Sequence, residues 1–295
     1  MRHAKKFIFL TISLVALSGL LVPAAGRQAR SKGRGKVGKM VKEMLAAREA
    51  QTQIQCLTKT YGSFSVEQAY RIQASLAKGL SKKLGSVAGY KVAYASKAAQ
   101  VQFGVDEPAS APLFRLQRVP SGSKLPASVF NEMTLETEIG FTMCKRIDRA
   151  IENVQELKSH VKWVHAAFDI GDHRFASGEE NPTPADQIAN GVGGHFFVLG
   201  PAVAPSDVDI DSLTLKLARN GKTIAESAAT NVMGSPWNSL LWLANQVVKL
   251  GGALEPGDVV ISGTAARAYK AKGEEIKAVY EGDCGPLGKV TFTVH

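Results

Sequence analysis

Twelve residues near the middle of the chain alternate between two kinds of side chain, and this run constrains the fold more than any other feature. From Met133 to Cys144, the odd positions carry larger and mostly apolar side chains, whereas the even positions carry small residues together with Glu136 and Glu138. A period of two predicts a β-strand, because successive side chains of an extended chain point to opposite faces. Glu136 and Glu138 are therefore predicted to share one strand face, with their Cα atoms about 6 to 7 Å apart.

Two carboxylates at that spacing can converge on one cation. No lysine or arginine lies on the same strand face, and hard divalent ions prefer oxygen ligands. The pair has two interpretations, a divalent metal site or a solvated strand face. Asp169 favours the metal, because it follows the apolar segment 163–168, where an isolated carboxylate is costly unless it is paired or metal-bound.

Polar residues in two other predicted strands are further candidates. Lys91 lies in a short β-type run that would carry it inward beside the acids, either as an acid/base group with a lowered pKa or as an ion-pair partner. Ser262 and Thr264 follow the apolar run 259–261 at a strand end rich in hydroxyl groups. They are candidates for binding a substrate carboxylate, and the alternative is a capped strand end.

The remaining pattern predicts an α+β protein. Residues 41–80 have helical periodicity, and Ser65 and Gln68 form a predicted capping box at the start of a helix. A late helix is predicted over residues 236–250. Beyond Gly85 the other segments are β-type and separated by Gly and Pro, namely Tyr90–Tyr94, Met133–Cys144, Phe196–Leu199, Leu213–Leu217, Val259–Ser262 and Val290–Val294.

The net charge of +10 is confined to the N-terminal segment. Residues 1–26 carry +3, residues 27–42 carry +7, and the remainder is neutral, so we expect no nucleic-acid binding by the body of the protein. The cationic start, the apolar stretch over residues 7–22 and the small residues after it predict a signal peptide over residues 1–26 and export to the periplasm. The alternative is an uncleaved anchor, which would be the chain's only membrane contact.

Residues 27–42 are rich in glycine and cations and lack apolar periodicity before Val41. They are predicted to form a solvated basic linker, either a plain spacer or an arm that contacts anionic lipid.

Several motifs in a fixed order resemble one known family. They are EQAYRIQ (67–73), GYKVAYASKAAQVQFGVDEPASAPLF (89–114), LETEI (135–139), SPW and WLAN (235–245) and GDVVISGT (257–264). Together they resemble the fumarylacetoacetate hydrolase superfamily, and within it the 2-keto-4-pentenoate hydratase and 4-oxalocrotonate decarboxylase branch of catechol meta-cleavage pathways. The resemblance extends from Leu57 to the C-terminus.

The resemblance implies a small helical N-terminal part (43–130) followed by a mixed β-sheet roll of the fumarylacetoacetate hydrolase C-terminal type, which forms a β-rich metal-binding catalytic domain (131–295). It implies Glu136, Glu138 and Asp169 as ligands of Mg²⁺ or Mn²⁺, and Lys91 as a nearby acid/base or enolate-stabilising group. It also implies a homo-oligomer.

The activity implied is that of a hydro-lyase acting on a small unsaturated 2-oxo or 2-hydroxydienoic acid, through an enolate that the metal stabilises. The sequence departs from the branch in three ways: Asp169 stands where glutamate is usual and leaves the reaction subtype open, the segment 188–191 lacks the usual acid, and export is unusual because most relatives work in the cytoplasm. The alternatives are an acylpyruvate C–C hydrolase or a 2-oxo acid decarboxylase of the same superfamily, and an exported binding protein without turnover. The His/Glu pair typical of hydrolase members is not found in this sequence.

Overall fold

The computed structural model describes residues 24–176, 182–271 and 273–295, with only the backbone described over residues 24–34. Most of the predicted signal peptide, residues 1–26, lies outside the described residues. Within the described ranges the helices are α1 (Ala24–Ala50), α2 (Leu57–Tyr61), α3 (Val66–Leu84), α4 (Lys97–Phe103), α5 (Val154–Lys158), α6 (Pro184–Ala189) and α7 (Pro236–Lys249). None of these helices combines the length and the apolar character that crossing a bilayer requires.

The chain divides into two units, residues 1–36 and residues 37–295. The described part of the first unit, residues 24–36, is helical. The predicted solvated linker, residues 27–42, lies within helix α1, and Met40 near its end is buried, with only 2% exposed. Val37, Met40 and Met44 follow one another at helical spacing and pack in one apolar cluster, a pattern that the prediction overlooked.

The second unit contains two sheets. Its strands are β1 (Val87–Ala93), β2 (Ala109–Phe114), β3 (Ser123–Leu125), β4 (Met133–Met143), β5 (Val161–Asp172), β6 (Gly194–Leu199), β7 (Thr214–Arg219), β8 (Lys222–Ala228), β9 (Val259–Ile261), β10 (Tyr269–Lys270), β11 (Val279–Asp283) and β12 (Lys289–Val294). One sheet has seven strands in the order β2-β1-β9-β4-β5-β6, with β10 paired to β4. The other has five strands in the order β3-β12-β11-β7-β8. The α+β prediction is confirmed.

The seven-stranded sheet is mixed, because β1 and β9 run parallel whereas its other pairs are antiparallel. The predicted boundary at residue 130 falls between β3 and β4, and strands from both sides of it share this sheet. Gly89 illustrates the close packing of β1 on β9. A Cβ atom at this position would lie 1.8 Å from the carbonyl oxygen of Val259, so no other residue fits without a backbone shift.

Three apolar clusters of described residues hold these elements in place, and two of them bear on the position of the acids. The larger one lies between the sheets, where Phe168 of β5 packs edge-on against Phe292 of β12, with ring centroids 5.4 Å apart. The smaller one joins helix α3 to β2 and α6, and it includes Leu76 and Ile188. Full burial of each large apolar side chain stabilises the fold by about 1.5 to 3 kcal/mol. The second cluster therefore fixes the N-terminal helices beside the sheet that carries the acids.

Candidate metal centre and adjoining cavity

The acids predicted as ligands meet at one point. In the antiparallel register of β4 and β5, Glu136 lies directly opposite Asp169 and Glu138 opposite Ala167. Side chains opposite one another on paired strands point to the same face. Glu136, Glu138 and Asp169 each offer a carboxylate oxygen, and these oxygens lie within 4.8 Å of one another.

Hydrogen bonding at this cluster is incomplete. The Gly263 backbone N–H donates to Oε2 of Glu138 at 2.7 Å. Oε1 of Glu138 and Oδ1 of Asp169 are buried without a hydrogen-bond partner among the described residues. Buried polar atoms are nearly always paired in folded proteins. Two orphaned acceptors in a cluster of three carboxylates therefore fit a hard divalent cation such as Mg²⁺ or Mn²⁺.

Lys91 supplies the neighbouring positive charge. It lies on β1, opposite Ile261 of β9, and Ile261 in turn lies opposite Gly140 of β4. Its ammonium forms an ion pair with Oδ2 of Asp169, and both side chains are buried. It also donates to the carbonyl of Val192 at 3.3 Å. The predicted inward orientation of Lys91 is confirmed, and one ammonium faces three carboxylates.

The carboxylates around Lys91 act against the expected lowering of its pKa. Burial disfavours the charged ammonium, but attraction to Asp169 and to the two glutamates outweighs burial and raises the pKa of Lys91. Burial also raises the pKa of Glu136 to about 8, with repulsion from Asp169 as the next cause. The same two causes raise the pKa of Glu138 well above its usual range. Mutual repulsion and burial thus oppose the full ionisation of the three carboxylates, and a positive charge among them would relieve that repulsion.

Ser262 and Thr264 are both buried, and their hydroxyls are used within the protein. The Ser262 hydroxyl accepts from the Ile139 N–H at 3.2 Å and donates to the Gly263 carbonyl at 3.1 Å. The Thr264 hydroxyl accepts from the Ala266 N–H at 3.2 Å. These contacts match the capped strand end, and a role for either residue in substrate binding stays a prediction.

A cavity of about 50 Å³ adjoins the acids, with Lys91, Glu136, Tyr94, Asn190 and Arg174 among its lining residues. Tyr94 and Asn190 are not among the site residues predicted from the sequence. Tyr94 has a φ of +59°, a left-handed conformation that is uncommon for a residue with a side chain. Such strained backbone is frequent at functional sites, but it leaves no signal in the sequence.

His165, His173 and His195 are candidates to activate water, and none of them forms a hydrogen bond with a carboxylate among the described residues. His165 contacts Thr142 at 2.9 Å between Nε2 and Oγ1. His195 accepts from Arg174 through Nδ1 at 3.0 Å and donates through Nε2 to the carbonyl of Val129 at 2.9 Å. His173 lines the 50 Å³ cavity, but its ring has no hydrogen-bonded carboxylate among the described residues. No His/Glu pair therefore faces the cavity within the described part of the chain.

The environment of His195 gives a pH prediction. Burial, followed by the nearby Arg174 charge, lowers the pKa of His195 to about 4. Because the folded-state pKa lies below the unfolded value of 6.5, its contribution to stability is present above pH 6.5 and is lost as the pH falls toward 4. We expect His195→Gln to lose less stability between pH 7 and 4.5 than the original protein, measured by urea unfolding. An equal loss in both proteins would contradict this assignment.

Comparison with known proteins identifies a family that matches most of the chain. Residues 86–295 match the family described as fumarylacetoacetate (FAA) hydrolase C-terminal. The chain is 29% identical over 208 residues to a 2-keto-4-pentenoate hydratase of Paraburkholderia xenovorans LB400, which covers 70% of this chain and 77% of that protein. It is 23% identical over 246 residues to a 2-oxo-hept-4-ene-1,7-dioate hydratase of Escherichia coli, which covers 82% and 92%.

Solved structures share the fold. The 4-oxalocrotonate decarboxylase of Pseudomonas putida G7, complexed with magnesium and adipate, superposes with a TM-score of 0.81 at 20% identity, covering 89% of this chain and 98% of that one. A fumarylpyruvate hydrolase of Pseudomonas aeruginosa, complexed with Mn²⁺ and pyruvate, gives a TM-score of 0.53 at 16% identity, covering 70% and 88%. The predicted curled mixed sheet of this fold type is confirmed.

Proposed function

The chain belongs to the fumarylacetoacetate hydrolase C-terminal family, and from this premise we propose that it is a divalent-metal-dependent hydro-lyase that adds water to a small unsaturated 2-oxo or 2-hydroxydienoic acid. The chain is an enzyme of this superfamily, and the hydratase names of relatives at 23 to 29% identity support the finer assignment. The observation that carries the proposal is the set of three carboxylates with two orphaned oxygens beside one buried lysine.

Glu136, Glu138 and Asp169 would hold the ion. When bound, a divalent ion would supply Lewis-acid stabilisation of the negative charge that develops on the substrate's 2-oxygen. The cavity of about 50 Å³ beside Glu136 leaves little room for water around a bound substrate. Electrostatic contacts are stronger where water is excluded. The three carboxylates would therefore act by holding the ion in place, and the ion would orient the reacting end of the substrate.

Lys91 would be the acid/base group that gives a proton to the substrate. Its Nζ is buried between Asp169 and the Val192 carbonyl, and the surrounding carboxylates raise its pKa, which favours the ammonium form. From this position it can donate a hydrogen bond to the 2-oxygen, or a proton to the substrate during the conversion of the dienol to the 2-oxo form. The acid/base role of Lys91 follows from its place beside the carboxylates.

The direct test is turnover of 2-hydroxypenta-2,4-dienoate by the purified protein with Mg²⁺ or Mn²⁺. We expect consumption of the diene absorbance and formation of 4-hydroxy-2-oxopentanoate, and we expect a chelator to remove this activity and re-addition of metal to restore it. Formation of carbon dioxide from a 2-oxo diacid, or cleavage of an acylpyruvate, would instead identify the decarboxylase or hydrolase alternative. Full metal content without turnover of any of these acids would favour the non-catalytic binding protein.

Metal binding is also expected to stabilise the fold. An ion that binds only the folded protein adds about 2.7 kcal/mol at a concentration one hundred times its Kd, and for a chain of this size each kcal/mol raises Tm by about 2 to 4 °C. We therefore expect Mn²⁺ to raise Tm by several degrees in a scan against chelator. An unchanged Tm in saturating Mn²⁺ and Mg²⁺ would contradict the site.

Export is part of the proposal. The cationic and apolar start of the chain supports a signal peptide over residues 1–26, and a periplasmic enzyme would meet the acid after it crosses the outer membrane. N-terminal sequencing of the protein recovered from the periplasm would identify the cleavage site, and a cytoplasmic, uncleaved protein would contradict the proposal. Association into a homo-oligomer, to be measured by sedimentation, stays a prediction.

A further inference from the structure

Tyr94 lines the cavity beside the acids with a hydroxyl group that has no partner in the protein. Only 5% of the residue is exposed, and its ring packs against Phe103 with centroids 5.2 Å apart. A buried tyrosine hydroxyl usually finds a hydrogen-bond partner, but this one forms no hydrogen bond with another described residue. It is also not one of the unpartnered atoms that are sealed from solvent in the described part of the chain. The hydroxyl is therefore open to a ligand in the cavity.

The backbone at Tyr94 has a conformation that tyrosine adopts only rarely. Its φ is +59°, a value at which glycine would be unstrained. Strand β1 ends one residue earlier, at Ala93, and the Tyr94 carbonyl accepts from the Gln100 side chain at 3.1 Å. Residues held in strained backbone conformations are concentrated at active sites and ligand clamps. A tyrosine at this turn is thus better explained by its side chain than by its backbone.

The surroundings of the hydroxyl indicate what it can bind. Burial, followed by the negative charge of Glu136, raises the pKa of Tyr94. The group is therefore a neutral hydroxyl near the carboxylate cluster, able to donate one hydrogen bond and to accept others. The same negative charge disfavours a second carboxylate at this point, because like charges repel. An uncharged oxygen, such as a water or an alcohol, is the better match.

The size of the cavity brings this hydroxyl close to the reacting carbons. A volume of about 50 Å³ has room for about three to five water molecules. Lys91 and Glu136 line the same small space as Tyr94. An acid whose 2-oxygen lies at Lys91 therefore has its next carbons within reach of the walls of this cavity, and the Tyr94 hydroxyl belongs to those walls.

We propose that the Tyr94 hydroxyl binds the oxygen atom at C4 of the acid, first as the water that adds and then as the 4-hydroxyl of the product. In hydration of 2-hydroxypenta-2,4-dienoate, the water oxygen bonds to C4 and keeps one proton. The other water proton and the proton of the 2-hydroxyl end on C3 and C5, and the two carbon–carbon double bonds are replaced by the 2-oxo group. Tyr94 donates a hydrogen bond throughout and neither gains nor loses a proton.

The inference rests on the proposed function for the identity of the acid, and binding measurements test it without turnover. Calorimetry with Mn²⁺ present compares 4-hydroxy-2-oxopentanoate with 2-oxopentanoate, which lacks only the 4-hydroxyl. We expect the hydroxy acid to bind about threefold to tenfold more tightly, the usual effect of one neutral hydrogen bond. Tyr94→Phe should remove this difference and leave the Kd of 2-oxopentanoate unchanged.

Tyr61→Phe is the matched control for the loss of one phenolic hydroxyl. The Tyr61 hydroxyl donates to Glu43 at 2.7 Å, and Tyr61 is not among the residues that line the cavity. We expect this variant to keep the preference for the hydroxy acid.

Two rates distinguish a role in hydration from a general loss of activity. Exchange of the C3 protons of 2-oxopentanoate in D₂O, followed by NMR, requires proton transfer but no oxygen at C4, so Tyr94→Phe should exchange at the original rate. Hydration of 2-hydroxypenta-2,4-dienoate should fall by about tenfold. The fall should affect kcat more than KM, because the hydroxyl contacts the water rather than the diene.

The outcomes separate this inference from the proposed function. A preference for the hydroxy acid that depends on Tyr94 supports the contact even if the diene is not hydrated, in which case only the hydratase assignment fails. Equal Kd values for the two acids in the original protein overturn the inference, and that comparison needs no variant to fold. An unchanged preference in Tyr94→Phe, or equal slowing of exchange and hydration, overturns it as well.

Discussion

Glu138→Gln is expected to abolish stoichiometric binding of Mg²⁺ or Mn²⁺ while leaving the protein folded. The substitution replaces a fully buried carboxylate, whose Oε1 has no partner among the described residues, by a neutral amide that brings no negative charge to the cation and only one oxygen instead of two. The amide oxygen can still accept from the Gly263 N–H, as Oε2 of the carboxylate does. Metal content after dialysis, measured by mass spectrometry, checks the result.

Without added metal, the free energy of unfolding of Glu138→Gln should be at least as large as that of the original protein. Burial and like charges raise the pKa of Glu138, so they oppose its ionised form, and the neutral amide removes that cost. Glu226→Gln is the matched control, since Glu226 lies on β8 with a half-exposed side chain paired to Lys216. We expect the control to bind metal normally. One ion per chain in Glu138→Gln would remove Glu138 from the ligand set.

Lys91→Ala is expected to retain the metal and to lose turnover by about 10² to 10⁴-fold, the usual range for a general acid/base group. Without metal, the variant should also be destabilised by about 3 to 5 kcal/mol, because Asp169 loses its buried counter-ion. Bound metal should restore much of that loss, since the cation then neutralises Asp169. Single-turnover kinetics and urea unfolding, each with and without Mn²⁺, measure the two effects.

The exposed Lys289 offers the control for this ion pair. It contacts Glu281 at 2.8 Å on the protein surface, where solvent screens the charges, so Lys289→Ala should change neither turnover nor the metal dependence of stability. Original rates in Lys91→Ala would exclude Lys91 from the mechanism. A loss of metal together with activity would make it a positioning residue for the acids instead.

Parts of the fold were predictable because their signals are local. The alternation in β4 fixed which side chains share a face, and the strand observed over Met133–Met143 differs from the predicted one by a single residue. The capping box of Ser65 and Gln68 forms as predicted, since both partners lie within one helical turn. Helix α7 likewise starts at Pro236, as its pattern indicated.

Strand β5 was not predicted, although it contributes Asp169. Its residues are buried on both faces for most of its length, so the sequence shows a continuous apolar run rather than an alternation. Such a run is compatible with several structures. The pairing of Glu136 with Asp169 depends on that strand and its register. The apolar residues before Asp169 indicated a paired or metal-bound acid, and the resemblance to known enzymes implied Asp169 as a ligand.

The position of Arg48 could not be predicted from the sequence at all. In the sequence it is one cation in a helical segment, and nothing marks it as a neighbour of Arg174, which lies 126 positions later. The two meet only because α1 packs in the same apolar cluster as α3 and α6, which brings the Arg48 guanidinium to the carbonyl of Asn190. The direction of the Lys91 pKa shift was missed for a similar reason, because it depends on how many carboxylates surround the ammonium.

The sequence by itself determined the α+β class, the shared face of Glu136 and Glu138, the inward position of Lys91 and the family of the chain. These depend on side-chain periodicity and on motif order, which are properties of the linear chain. Only the tertiary structure decided that the Asp169 carboxylate lies within 4.8 Å of the two glutamates, that Lys91 forms an ion pair with Asp169 and that Arg48 reaches the carbonyl of Asn190. Those outcomes depend on distances and burial between remote segments, and electrostatic energies in a protein interior are set by these two quantities.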